Sequence, residues 1–150
     1  IIIIIIIIII IIIIIIVVII IIIIIIRFVF YLSVIILLVI YLFPGSLIGY
    51  VLYRDYSTQP NLISNPLGTS INHLLYFLYL SVLGCFGYLE YNNFKKIFIF
   101  LFFLSIILEI AHLIIPNRSF EYLDLISNSI GVLLGYCIIL IYKIIRRKDG

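Results

Sequence analysis

Between Glu109 and Gly135 the chain carries Glu109, His112, Pro116, Asn117, Arg118, Asp124, Asn128, Gly131 and Gly135 inside a sequence otherwise dominated by apolar residues. Carboxylates, an imidazole and a guanidinium at this density can hold an ion, bind a polar headgroup or move a proton. A charged side chain at the centre of a bilayer costs roughly 2.5–3.5 kcal/mol on insertion scales, so a membrane chain that keeps Glu, Arg and Asp this close has a use for them. The second histidine, His73, lies well upstream.

Composition determines what must position these residues. Of 150 residues, 67% are apolar and 10% charged, the mean hydropathy is +1.52, and several apolar runs are long enough to cross a bilayer. A water-soluble globule is excluded, and no polar stretch is long enough to build a core of its own. The net charge of +3 is small and the basic residues cluster as topology markers, so no nucleic-acid partner is expected. Cys85 and Cys137 both fall in expected spans, where they act as small packing residues rather than as a disulfide.

Residues 1–26 contain only Ile and Val. This low-complexity tract carries no chemistry and lacks the basic region and small-residue cleavage site of a secretory signal. Only Arg27 separates it from the next apolar run, whereas two antiparallel helices need a connection of about 2–5 residues. A continuous helix to Phe43 would be about 64 Å long, about twice the hydrocarbon thickness of a bilayer. Part of the tract is therefore expected to project or to be an artefact. With no Met anywhere and Ala111 as the one Ala, a translated AT-rich repeat upstream of the true start, or a fragment, is the expectation.

The remaining residues, 27–150, are expected to form an all-α integral membrane four-helix bundle. The first span runs about 28–43 and stops at Pro44-Gly45-Ser46. The second runs about 71–89, after the turn-rich Asn65-Pro66-Leu67-Gly68-Thr69-Ser70, which offers two N-cap candidates. The third runs about 97–115 and ends at Pro116, and the fourth about 125–142. These segments lack the alternation of barrel strands and are twice their length.

Arg27, Lys95, Lys96, Lys143, Arg146, Arg147 and Lys148 fall on one side of this arrangement, against Arg54 and Arg118 on the other, so both termini are expected in the cytoplasm. His73, Glu109, His112, Arg118, Asp124 and Asn128 then share the outer face. Glu109 and His112 lie three apart on one side of the third helix, and Asp124, Asn128, Gly131 and Gly135 follow offsets of 4, 3 and 4 on the fourth. The two glycines allow close helix approach, bringing Asp124 and Asn128 toward Glu109 and His73 around a water-accessible pocket.

Plainer roles compete at each position. Glu109 and Arg118 could neutralise one another, Asp124 could cap the fourth helix, and Gly131 and Gly135 are packing residues first. The Glu109 and His112 spacing is half of a carboxylate metal site, but with His73 alone to add a nitrogen ligand, neither a metal nor another cofactor is expected. The 23 Tyr and Phe residues serve as membrane-filling and interfacial side chains, and the basic tail as an anchor.

The combination His73, Glu109-Ile110-Ala111-His112, Pro116-Asn117-Arg118, Asp124, Asn128, Gly131 and Gly135 resembles the pattern of VanZ-like membrane proteins over about residues 28–143. Departures from that pattern are His112, where the family usually has Gln, and Thr69-Ser70-Ile71-Asn72, where an acidic residue often precedes the span-two His. The resemblance implies an envelope function in the cell membrane, since the family's namesake is associated with resistance to the glycopeptide teicoplanin.

Three function classes follow. The preferred one is a non-enzymatic, multi-pass envelope protein binding a lipid headgroup, a wall precursor or a glycopeptide antibiotic, with Arg118 for an anion and Glu109 or Asp124 for a donor. The second is an intramembrane enzyme with His73 or Glu109 as general base, although no Ser or Cys sits in a nucleophile motif. The third is a structural partner whose polar residues fix helix register. Transport has little room in four spans without a repeat, unless the chain forms a homo-oligomer.

The topology is testable by labelling. With Cys85 and Cys137 replaced by Ala, a membrane-impermeant maleimide is expected to label Asn117→Cys on intact cells and Arg147→Cys only after permeabilisation. The reverse pattern overturns the orientation.

Overall fold

The computed structural model describes residues 2–58, 70–89 and 93–148, which form five helices and no strand: α1 (Ile2–Leu42), α2 (Leu47–Tyr53), α3 (Ser70–Gly87), α4 (Phe94–Ala111) and α5 (Tyr122–Lys148). By length and composition, α1, α3 and α5 could each cross a membrane, which makes the chain a membrane protein. The remaining expected span, α4, has a similar length to α3 but carries Lys95, Lys96 and Glu109.

The poly-Ile tract continues without a break into α1, which begins at Ile2 rather than near residue 28. Its 41 residues make a helix about 62 Å long. The buried positions Phe30, Ser33, Val34, Leu37 and Tyr41 repeat at helical spacing, and every Ile from Ile2 to Ile22 is exposed. The part of α1 that packs is therefore the expected first span, and the tract extends beyond it.

Helix ends follow local chemistry. Gly45 has φ +90 after Pro44, and an added Cβ there would meet the Tyr56 carbonyl oxygen at 2.9 Å. Ser46 then caps α2, its Oγ accepting from the Gly49 amide at 2.9 Å. The helix α4 spans Phe94–Ala111 rather than about 97–115. Before Pro116, which disfavours helical backbone at Ile115, the chain tightens through Leu113 N to Ile110 O and Ile114 N to Ala111 O, at 3.0 and 3.1 Å. At the other end of that loop α5 starts early, because the Asp124 and Leu125 amides both donate to Glu121 O at 3.1 Å. Beyond Tyr142 it runs on through the exposed Arg146 and Arg147, cations that suit the negative end of a helix. Of the two N-cap candidates before α3, Thr69 lies outside the described residues, as do residues 65–68. Ser70 is the first helical residue, and its hydroxyl points across to α5.

The long helices alternate in direction. Phe30 of α1 approaches Gly84 of α3 while Tyr41 reaches His73, so these two helices are antiparallel. Phe94 of α4 contacts Cys85 near the end of α3, and α5 runs parallel to α3, from Ser70 beside Asp124 to Ser81 beside Gly135. The core joins Phe30, Leu37 and Tyr41 to Phe77, Leu80, Leu101, Leu108 and Val132, with a second cluster of Cys85, Leu89, Phe94 and Ile139. Neither cysteine is in a disulfide.

The closest approach is between α3 and α5. A Cβ on Gly131 would sit 2.4 Å from Leu74 O, and one on Gly135 would sit 2.5 Å from Ser81 Cβ. Alongside, Ser81 Oγ donates to Val132 O at 2.7 Å. Gly131→Ala and Gly135→Ala are each expected to cost about 1–3 kcal/mol, read as a lowered unfolding midpoint in detergent, because the clash at Gly131 is with backbone that cannot rotate away. The exposed Leu133→Ala should change that midpoint much less.

Candidate functional site

At the end of the helices where α1 and α4 finish and α3 and α5 begin, the polar residues meet. His73 lies one turn into α3, and Glu109 and His112 at the end of α4. Asp124 is the third residue of α5, with Asn128 one turn on. Five of the six site residues expected from sequence thus gather in one cluster, and the sixth, Arg118, borders it.

Asp124 sits inside α5 rather than before it, and its carboxylate does not cap that helix. Its Oδ1 accepts from Ser70 Oγ at 2.5 Å, and its Oδ2 lies 3.4 Å from His73 Nε2. The carboxylate still favours the positive end of α5, being in its first turn. The other ring nitrogen of His73, Nδ1, is 2.5 Å from the Tyr41 hydroxyl, which in turn donates to Asn128 Oδ1 at 3.0 Å.

Glu109 is 0% exposed. Its Oε1 accepts from the Glu121 amide at 3.1 Å and lies 3.3 Å from His112 Nδ1, which donates to it when the ring hydrogen is on Nδ1. The remaining atoms, Glu109 Oε2 and His112 Nε2, are buried and have no hydrogen-bond partner, as is Asn128 Nδ2. Such atoms cost about 1–3 kcal/mol each when left unsatisfied. The cluster is nearly closed rather than an open pocket: Asp124 and His112 are buried too, and the His73 side chain is 13% exposed.

Arg118 has a different task from the one its charge suggests. No ion pair joins it to Glu109 among the described residues. Instead its Nη2 donates to Ile40 O at 2.8 Å and its Nε to Phe43 O at 3.3 Å, satisfying carbonyls at the end of α1. Burial pushes this guanidinium below its ordinary pKa, and Tyr41 and Glu109 act in the opposite direction. Asn117 turns the chain just before it with φ 57, a left-handed conformation Asn tolerates.

Two contributors escape sequence reasoning. Tyr41 is one of 12 tyrosines, yet it bonds His73 and Asn128 and stacks on the His112 ring, 5.2 Å between centroids. The available signal was its place on the Phe30, Val34, Leu37 face, one position where that apolar stripe ends in a hydroxyl. Ser70 lies in the stretch expected to cap α3, and its pairing with Asp124 depends on a helix far away in sequence.

A separate cavity of about 470 Å³ is lined by Arg54, Asp55, Tyr56, Ser57 and Asn117 and shares no residue with the cluster. Hydrogen bonds from Thr58 and Ser57 hold the Asp55 carboxyl below its usual range, so this acid is occupied in shaping its own loop.

No family model matches the chain, and neither a curated protein nor a solved structure does.

Removing the Arg118 guanidinium would leave the Ile40 and Phe43 carbonyls without this donor. Arg118→Ala is expected to lower stability by about 1–3 kcal/mol, with Arg118→Lys in between, measured by thermal unfolding in detergent. Were Arg118 merely neutralising Glu109, Glu109→Gln would compensate for Arg118→Ala, and no such compensation is expected.

Proposed function

We propose that the chain is a VanZ-like, multi-pass protein of the cell membrane with both termini in the cytoplasm, whose polar site at the outer face binds an envelope compound: a lipid headgroup, a wall precursor or a glycopeptide antibiotic. The observation that carries this reading is the gathering of His73, Glu109, His112, Asp124 and Asn128 from three helices around hydrogen-bonding atoms that remain unused. The opposite end supports the orientation. There Arg27 bonds Gly87 O at 2.9 Å and Lys143 lies 4.6 Å from the Phe94 ring, so basic residues of α1 and α5 collect at one level.

Glu109 and Asp124 give the site acidic character, which suits hydroxyl or ammonium donors on a ligand. Arg118, held by carbonyls, orders the rim and contributes its charge from there. Four spans are retained in this reading, with α4 crossing between α3 and α5 and its lysines at the cytoplasmic end.

A second reading, an intramembrane enzyme acting on a lipid-linked substrate, draws support from Glu109 Oε2, a buried carboxylate oxygen with no partner. His73 has Nδ1 on the Tyr41 hydroxyl and Nε2 3.4 Å from Asp124 Oδ2, whereas Glu109 Oε2 has no neighbour of this kind, which makes Glu109 the better general base of the two.

The test is teicoplanin susceptibility and surface binding in a sensitive Gram-positive host expressing the full chain, beside Glu109→Gln and Asp124→Asn at equal membrane levels. Lower drug binding with the unaltered chain and a return to vector levels with both variants is expected. If no version has an effect, the glycopeptide is struck out, and envelope lipids copurifying with the unaltered chain but not with the variants decide the remaining ligands. Turnover of such a lipid, abolished in Glu109→Gln, would favour the enzyme.

A further inference from the structure

Two carboxylates and an imidazole meet inside the cluster. One atom each of His73, Glu109 and Asp124 come together within 4.8 Å of one another. The single hydroxyl hydrogen of Tyr41 goes to Asn128 Oδ1, so the contact between the Tyr41 oxygen and His73 Nδ1 needs its hydrogen on Nδ1. A neutral His73 then turns the lone pair of Nε2 toward Asp124 Oδ2, 3.4 Å away. Glu109 adds a second carboxylate, whose Oε2 is fully buried and has no partner. Three electron-pair donors facing one another away from water repel unless a positive charge sits among them.

We propose that His73, Glu109 and Asp124 form a binding site for a divalent metal ion, with zinc the best match. One imidazole nitrogen and two carboxylate oxygens from α3, α4 and α5 are a three-ligand set that leaves a fourth position open for water or for an oxygen of a ligand. Bonds of about 2.0–2.2 Å in a tetrahedron put ligand atoms roughly 3.3–3.6 Å apart, a range that holds the 3.4 Å edge from His73 to Asp124. The widest edge must close by at most about 1.5 Å, within reach of side-chain rotation at Glu109.

The surroundings fit the same purpose. Metal-binding imidazoles and carboxylates are held by hydrogen bonds on their other atoms. Tyr41 holds Nδ1 of His73, Ser70 holds Oδ1 of Asp124, and the Glu121 amide with His112 holds Oε1 of Glu109. Each ligand is thus held by the scaffold through one atom and keeps a second: Nε2 of His73, Oδ2 of Asp124 and Oε2 of Glu109. The partial exposure of His73 supplies a way in. This inference stands on geometry and does not rest on the envelope ligand proposed above.

The experiment uses the full chain in detergent, stripped with a chelator and titrated with Zn²⁺ alone and, separately, with Co²⁺. One zinc per chain is expected, with Co²⁺ giving the visible absorption of a tetrahedral nitrogen and oxygen site. Tyr41→Phe should weaken zinc binding by about 10–100-fold, and the near-isosteric Glu109→Gln and Asp124→Asn by more, with Cys137→Ser unchanged. Absence of a stoichiometric ion overturns the proposal, as does an affinity that Glu109→Gln and Asp124→Asn leave intact in chains of native helicity. If either variant fails to fold, the Co²⁺ spectrum of the unaltered chain decides, because thiolate charge-transfer bands would move the ion to a cysteine. Loss of drug or lipid binding with zinc binding retained would refute the envelope reading alone.

Discussion

The close approach of α5 to α3 is the constraint on which the remaining architecture depends. With hydrogen atoms in place of side chains at Gly131 and Gly135, the backbone of α5 lies against Leu74, Leu78 and Ser81. In a membrane, where burial of apolar surface offers no drive for helix association, such contact supplies dispersion energy and room for interhelical hydrogen bonds. The Ser81 to Val132 bond is one of these. One and two turns nearer the start of α5, the same approach brings Asn128 and Asp124 to the level of His73. Helix packing and the polar site are thus one structural event.

The site shows what happens when polar groups are buried beside one another rather than in water. Tyr41 bonds His73 and Asn128, Ser70 bonds Asp124 beside His73, and Glu109 with His112 and the Glu121 amide forms a further group next to them. Their geometry is shared out so that each carboxylate has one oxygen engaged by the scaffold. Glu109 Oε2, His112 Nε2 and Asn128 Nδ2 are left buried without partners, which gives the cluster its chemical character. Below it, Phe77, Leu101, Leu108 and Val132 belong to the apolar core that joins the helices.

Arg118 separates the roles that charge alone confuses. A guanidinium near a carboxylate in an apolar sequence invites an ion-pair interpretation, yet helix ends carry carbonyls that also demand donors. The end of α1 breaks at Pro44 and Gly45, leaving Ile40 and Phe43 oxygens within reach of the loop after α4. Arg118 answers that demand, and the loop is thereby tied both to α1 and, through Glu121, to Glu109.

The amino-acid sequence by itself determined the helical class, the membrane environment and the level at which most polar residues lie. Those follow from composition, the apolar run lengths and the breakers at Pro44 and Pro116, all of which act locally along the chain. It also marked Gly131 and Gly135 as a packing stripe, because spacing on a single helix is sufficient for that. Tertiary structure alone decided the partners: Tyr41 among its many equivalents, Ser70 for Asp124 rather than for a cap, Arg118 for carbonyls rather than for Glu109. It alone made a trio of His73, Glu109 and Asp124, since these residues are separated in sequence and meet only once three helices have chosen their rotation about their own axes. Local periodicity fixes which face of a helix is polar, and only packing fixes what that face confronts.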